Sequence, residues 1–221
     1  AASVIERFVP TSLGVPTICD QVGTSECFGF AAAQGIHIDR QARGLVSKIP
    51  SPVVPYWFAR REAVAADTDV TDEGSDPDSM MQALADFGDC PWEDAPFVEA
   101  EVNARPNDLA LLAAQKLRCT LKPILSTGAE LWTAIRHVIQ MERHPVLIAL
   151  QVVPSFDNPT KGVVDDPTGK SRGLHAQCVY GFDNVGALDA GSWGLDDGVN
   201  YGSGSGQSTR RCATTCARHH A

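Results

Sequence analysis

Seven cysteines are spread through the chain, and Cys27 stands where a thiol can act as a nucleophile. The run Cys27-Phe-Gly-Phe-Ala-Ala-Ala-Gln-Gly-Ile-His-Ile reads as a buried helix despite its two glycines. Cys27 begins that helix, and the N–H groups and dipole of a helix start favour a thiolate. Gln21 lies six positions earlier (27 − 21 = 6). A loop of that length can fold back and aim a side-chain amide at a developing oxyanion, with the Cys27 N–H as second donor. Far along the chain, His175 in Gly173-Leu-His-Ala opens a predicted buried strand and can meet the thiol across a cleft. The chemistry these three residues could perform is acyl transfer to sulfur, with the imidazole moving the proton. Each alone has a plainer reading: a small core cysteine, a satisfied half-buried histidine, a loop-capping amide. Their combination points to a site.

The elements that must position them can be read in outline. Ser25 is the expected N-cap of the Cys27 helix. Residues 65–79 form a turn-rich loop whose acidic run, Asp67 to Asp78, reads as solvated. Asp76 can cap the next helix, with Pro77 at its first position, Gly88 just past its end, and Met80, Met81, Leu84 and Phe87 at helical spacing. Residues 106–117 and 129–143 read as two further helices, the second with an apolar stripe of Leu131, Ile135, Val138 and Ile139, closed by Pro145. Thereafter Val146–Val153, Leu174–Phe182 and Ala187–Trp193 read as strands. Helices followed by strands indicate an α+β fold rather than alternating βαβ units. From Gly202 the chain becomes a Gly/Ser linker and then a basic tail with Cys212, Cys216, His219 and His220. The tail spacing is poor for zinc, and a disulfide or a neighbouring chain is the expected anchor.

Asp20-Gln21 followed by Cys27-Phe-Gly-Phe-Ala resembles the active-site segment of papain-like cysteine peptidases. Ser51-Pro52 with Tyr56-Trp57 and Ala59-Arg60 is similar to the segment that follows in their bacterial and phage branch. Glu73-Gly74, then a helix, then Phe87-Gly88-Asp89-Cys90-Pro91 resembles the substrate loop and the helix behind it. His144-Pro145-Val146, Ser155-Phe156, His175-Ala176, Gly181-Phe182-Asp183 and Ser192-Trp193-Gly194 continue the resemblance in order, to about residue 201. It implies a two-lobed papain-like α+β domain over residues 1–201, followed by the 202–221 tail. A helical lobe would span about 20–110, and a strand-rich, barrel-like lobe about 115–201 would take in the N-terminal stretch. The resemblance makes Cys27 the nucleophile, His175 the general base and acid, and Gln21 the oxyanion donor. It makes Trp193 and Ser192 supports of the cleft, and Gly74 and Leu174 substrate-binding positions. It implies a peptide or protein substrate and no metal or organic cofactor.

One position departs from the pattern. The family's third catalytic residue is an Asn sixteen positions after the His, and here 175 + 16 = 191 is Gly. Losing such an orienting group costs up to about 10⁴ in rate in the serine-protease analogue. Asp189, two residues upstream and so facing the same side of the presumed strand, is a candidate substitute, as is a water. Three readings stay open: an active thiol peptidase, a degenerate homologue that binds peptides or builds an assembly, and a peptidoglycan amidase or endopeptidase.

Composition bounds the rest. A chain of 221 residues fits one domain or two small lobes, and its 43% apolar content can fill a core. A net charge of −9 argues against a nucleic-acid footprint and a polybasic membrane contact. No window approaches the roughly 20 apolar residues of a membrane helix, so a soluble chain is expected. Ala1-Ala2-Ser3-Val4 lacks a signal-peptide pattern, and a trimmed Met or a cut precursor fits equally. One nucleophile plus three disulfides, or seven reduced thiols, both fit the cysteine count, so the compartment is not fixed.

Overall fold

The computed structural model describes residues 8, 19–45, 48–157, 163–164, 169–182, 186–190, 200–202 and 213–217. Helix α1 (Cys27–Ala42) is buried from Phe28 through Asp39. A helix that is apolar nearly all round belongs inside the fold. Its two glycines are points of close approach. A Cβ on Gly29 would meet Pro52 O at 3.2 Å, and one on Gly35 would meet Leu147 Cδ2 at 2.9 Å. Ser25 does not cap α1: Glu26 holds the N-cap position and its side chain makes no capping bond.

Helices α2 (Val53–Arg61) and α3 (Pro77–Asp86) pack beside α1 and each other, and α4 (Asp108–Ala114) packs on α2. Pro55 sits in the first turn of α2, where its missing N–H costs the helix no internal bond. Helix α3 follows the expected punctuation: Asp76 accepts from the Ser79 N–H at 2.9 Å, Pro77 opens the helix, and Gly88 adopts φ +83° beyond its end. Asn107 caps α4 through the Ala110 N–H. The single helix expected over 129–143 is α5 (Gly128–His137) continued by a π-helical turn, Val138–Glu142, which Arg143 ends at φ 62°.

The second lobe is a sheet of β1 (Thr120–Ile124), β2 (Val146–Gln151), β3 (Val163–Val164), β4 (Leu174–Phe182), β5 (Gly186–Ala190), β6 (Asn200–Gly202) and β7 (Ala213–Ala217). Among the described residues its order is β1-β7-β2-β4-β5-β6-β3, antiparallel except for β3 with β6. Part of the segment set aside as a tail thus enters the sheet, with β7 between β1 and β2. Phe8 pairs with Phe182 through backbone bonds of 2.8 and 2.9 Å, so the N-terminal stretch reaches this lobe.

Among the described residues three apolar clusters form, one of them Val54, Cys90, Ala95, Ala110 and Ala114 within the helical lobe, and two that reach the sheet. Of those two, one joins Phe28, Ala32, Ile36, Tyr56, Met80 and Leu84 to Leu147, Ala176 and Cys178 of the sheet. The other gathers Leu131, Ile135, Val138 and Ile139 against Val146, Val179 and Phe182. The first core presses α1 onto β2 and β4, so the start of α1 meets the start of β4. The architecture is two-lobed α+β. Cys19, Cys27, Cys90 and Cys178 are free thiols and Cys119 is disulfide-bonded. Neither three disulfides nor seven reduced thiols describes the chain.

Candidate active site

Cys27 is the first residue of α1 and is partly buried. Burial pushes its thiol pKa up, while the N–H groups of Ala176, Phe28 and Cys27 itself pull in the opposite direction. The Ala176 N–H therefore reaches across to the sulfur from β4, one residue beyond His175. His175 is 3% exposed, and burial lowers its pKa to about 4. At pH 7 the imidazole is neutral, the form in which it can accept a proton.

Gln21 is buried in the loop before α1. The Thr24 N–H and hydroxyl donate to Gln21 O at 3.1 and 2.8 Å, and Gln21 Nε2 donates to Thr24 O at 2.6 Å. That last bond engages one of the two N–H groups on the amide and fixes the plane of the carboxamide. Val22, next in the loop, is held at φ 48° with its N–H on Asp20 Oδ1 at 2.7 Å. A β-branched residue in that region is strained, and such strain persists only where surrounding bonds enforce it.

Gly74 borders the same site. Its φ is +83°, and a Cβ there would lie 3.8 Å from Ser25 O. Its N–H donates to Tyr56 Oη at 3.2 Å, so the group Gly74 can offer an extended chain is its carbonyl. Leu174 is 61% exposed at the start of β4.

The β4–β5 register sets Asp189 opposite Val179, four residues along the strand from His175, roughly 13 Å at about 3.3 Å per residue. Gly191, Ser192 and Trp193, like Cys212, His219 and His220, lie outside the described residues. Among the described residues no three His, Cys, Asp or Glu side chains converge as a metal site requires, and no helix is long and apolar enough to cross a membrane.

Two features escaped the sequence reading. Glu26, beside the nucleophile, is 1% exposed, and among the described residues its Oε1 meets no hydrogen-bond partner. Burial lifts its pKa from 4.5 to about 8, with Arg60 opposing and Asp72 reinforcing the shift. Only its position ahead of a buried helix hinted at this. Asp72 was hidden in the acidic run read as solvated. It is half-buried and accepts from the Ser25 N–H at 2.9 and 3.1 Å.

The Glu26 carboxyl carries a pH dependence whose sign follows from linkage. Between pH 4.5 and 8 the folded chain holds a proton that the unfolded chain has lost, so stability falls as pH rises through that window. Glu26→Gln keeps the shape and removes the titration. Its unfolding free energy from urea titration is expected to match wild type near pH 5 and to exceed it increasingly towards pH 8, by on the order of 3 kcal/mol, with the urea midpoint moving in the same direction. Parallel midpoints across that range would show that Glu26 does not carry the effect.

No family model matches the chain, and no curated protein matches it in sequence. Solved structures do. Xylellain, a cysteine protease from Xylella fastidiosa, superposes with a TM-score of 0.80 at 17% identity, over 99% of this chain and 88% of that one. The Carica candamarcensis cysteine protease CMS1MS2, in complex with E-64, gives 0.73 at 19% identity, over 96% and 98% of the two chains. Bromelain from Ananas comosus, in complex with the same inhibitor, gives 0.70 at 14%, over 98% and 100%. The chain has the two-lobed α+β fold of papain-like cysteine proteases.

Proposed function

We propose that the chain is a cysteine peptidase that cleaves peptide bonds through Cys27, with His175 as general base and then general acid. The observation that supports this reading is the action of the Ala176 N–H, one residue beyond His175, on the Cys27 thiol. Attack on the substrate carbonyl passes the thiol proton to His175. The oxyanion faces the Cys27 N–H and the Gln21 amide. The amine leaves with the proton from the imidazolium, and the acyl group remains on sulfur as a thioester. Water then adds, gives a proton back through His175, and the acid product and free thiol separate. Gly74, through its carbonyl, and exposed Leu174 are the positions proposed to meet the substrate chain. Gly191 stands where the family has Asn, which favours a slow enzyme over one of full efficiency.

The test is covalent. An irreversible peptidyl epoxide should add one label per chain, at Cys27, and peptide hydrolysis should fall in step with labelling. Hydrolysis that survives complete labelling, or a label that settles on another thiol, overturns the assignment.

A further inference from the structure

The loop that carries Gly74 and the loop that carries the nucleophile meet through two side chains. Asp72 takes the Ser25 N–H with both carboxylate oxygens, at 3.1 and 2.9 Å. Tyr56 Oη donates to Asp72 Oδ1 at 2.5 Å and accepts from the Gly74 N–H at 3.2 Å. Ser25 lies two residues before Cys27. A continuous path therefore runs from the Gly74 backbone through a phenol and a carboxylate to the backbone at the nucleophile.

The path is built to be rigid. Tyr56 is 1% exposed in α2, with its ring in the apolar core. The Arg60 guanidinium lies 3.8 Å from the ring centroid and donates to Thr71 O at 2.9 Å and Val102 O at 2.6 Å. It thus holds the backbone just ahead of Asp72 as well as the ring. Charge-assisted bonds to a carboxylate are about twice as strong as neutral ones, and the low local dielectric makes each bond costly to break. Burial, and then the bond to Asp72, keep the phenol protonated, so its direction of donation is fixed.

We infer that Tyr56 and Asp72 are positioning residues: they lock the substrate loop at Gly74 to the nucleophile loop at Ser25, so that an extended peptide and the Cys27 sulfur are held in register. The inference rests on the peptidase reading and adds to it the means by which substrate binding is aligned with attack. Tyr56 acts on the site through its two hydrogen bonds, while the Asp72 charge also raises the Cys27 thiol pKa, so a small reagent should sense Asp72 only through that charge. A misplacement of about 1 Å costs on the order of 100-fold in a reaction that depends on alignment.

The test compares Tyr56→Phe and Asp72→Asn with wild type in three readouts. For a fluorogenic peptide amide spanning several residues, kcat/KM is expected to fall about 10- to 100-fold. Iodoacetamide labelling of Cys27 should stay within about twofold of wild type in Tyr56→Phe and should not slow in Asp72→Asn, where the lost charge eases ionisation of the thiol. Amide exchange should quicken at both Ser25 and Gly74 in either variant, although each substitution touches one of those amides directly. Peptide hydrolysis that is unchanged or improved overturns the inference. So does a parallel loss of hydrolysis and labelling, which would mark a collapse of the fold. If wild-type Cys27 itself labels slowly, the peptidase reading fails instead. The exchange data then decide the lock alone: faster exchange at one amide without the other rejects it.

Discussion

His175→Ala is expected to lower kcat/KM for peptide hydrolysis by at least about 10³-fold, with KM nearly unchanged. General-base catalysis by a placed side chain contributes about 10²- to 10⁴-fold, and this site stands at the upper end for a specific reason. Burial raises the Cys27 thiol pKa above its ordinary value, so the sulfur does not ionise by itself at neutral pH. Without an adjacent acceptor, attack must await the rare thiolate. The residual activity of the variant should therefore rise about tenfold per pH unit above neutrality, because the thiolate fraction does. In wild type the base form is lost only when His175 takes a proton. Burial sets that at about pH 4, so the acid limb of kcat/KM should lie there rather than at the 6.5 of an ordinary imidazole. A pH–rate profile in both proteins reads all three features. An acid limb near 6.5, or a variant within tenfold of wild type, would mean that His175 is not the base.

The second large effect concerns stability. Gly88→Ala is expected to destabilise the chain by about 3 kcal/mol or more. A Cβ at this position would stand 2.1 Å from Ala114 O, 3.0 Å from Ala114 C and 3.2 Å from Arg118 N, all of them backbone atoms. Gly88 also holds φ +83°, which L side chains rarely adopt. Strain at such a φ costs about 1–3 kcal/mol, and overpacking against immobile atoms adds a similar amount. For a chain of 221 residues the thermal midpoint should fall by about 10 °C. The consequence reaches the site, because α3 runs from Asp76, two residues after Gly74, to the clash. Calorimetry on the purified variant measures the shift. A midpoint within about 2 °C of wild type would mean that the end of α3 can move away from α4 without strain.

What was legible in the sequence followed from local physics. Asp76, Pro77 and Gly88 mark the ends of α3 because capping and positive φ are decided by the residue itself. Leu174–Phe182 emerged as β4 because a strand buried on both faces reads as an apolar run. Cys27 and His175 could be paired because each opens an element, and those elements pack on each other. What was not legible depended on tertiary contacts. Helix α2 was not read from the sequence, where Pro52 and Pro55 stand close together, although the N-cap and first turn of a helix accept proline. Strand β7 lies in a Gly/Ser-flanked tail, and its pairing with β1 and β2 is long-range. Ser25 looked like a cap, but its N–H is engaged by Asp72, 47 residues away. Glu26 and Asp72 carry the charge of surface residues. Nothing local shows that the fold closes over them.

The central claim is that His175 activates Cys27. Its most direct measurement is the iodoacetamide rate at each thiol of the native protein at pH 7, resolved by mass spectrometry. Cys90 is fully buried, and burial drives its pKa up to about 12, while Cys19 is partly exposed, with burial as the cause of its raised pKa. The account predicts that Cys27 reacts at least about 100-fold faster than either, and that His175→Ala erases the lead. Cys27 reacting no faster than Cys19 and Cys90, or keeping its lead without His175, would contradict it.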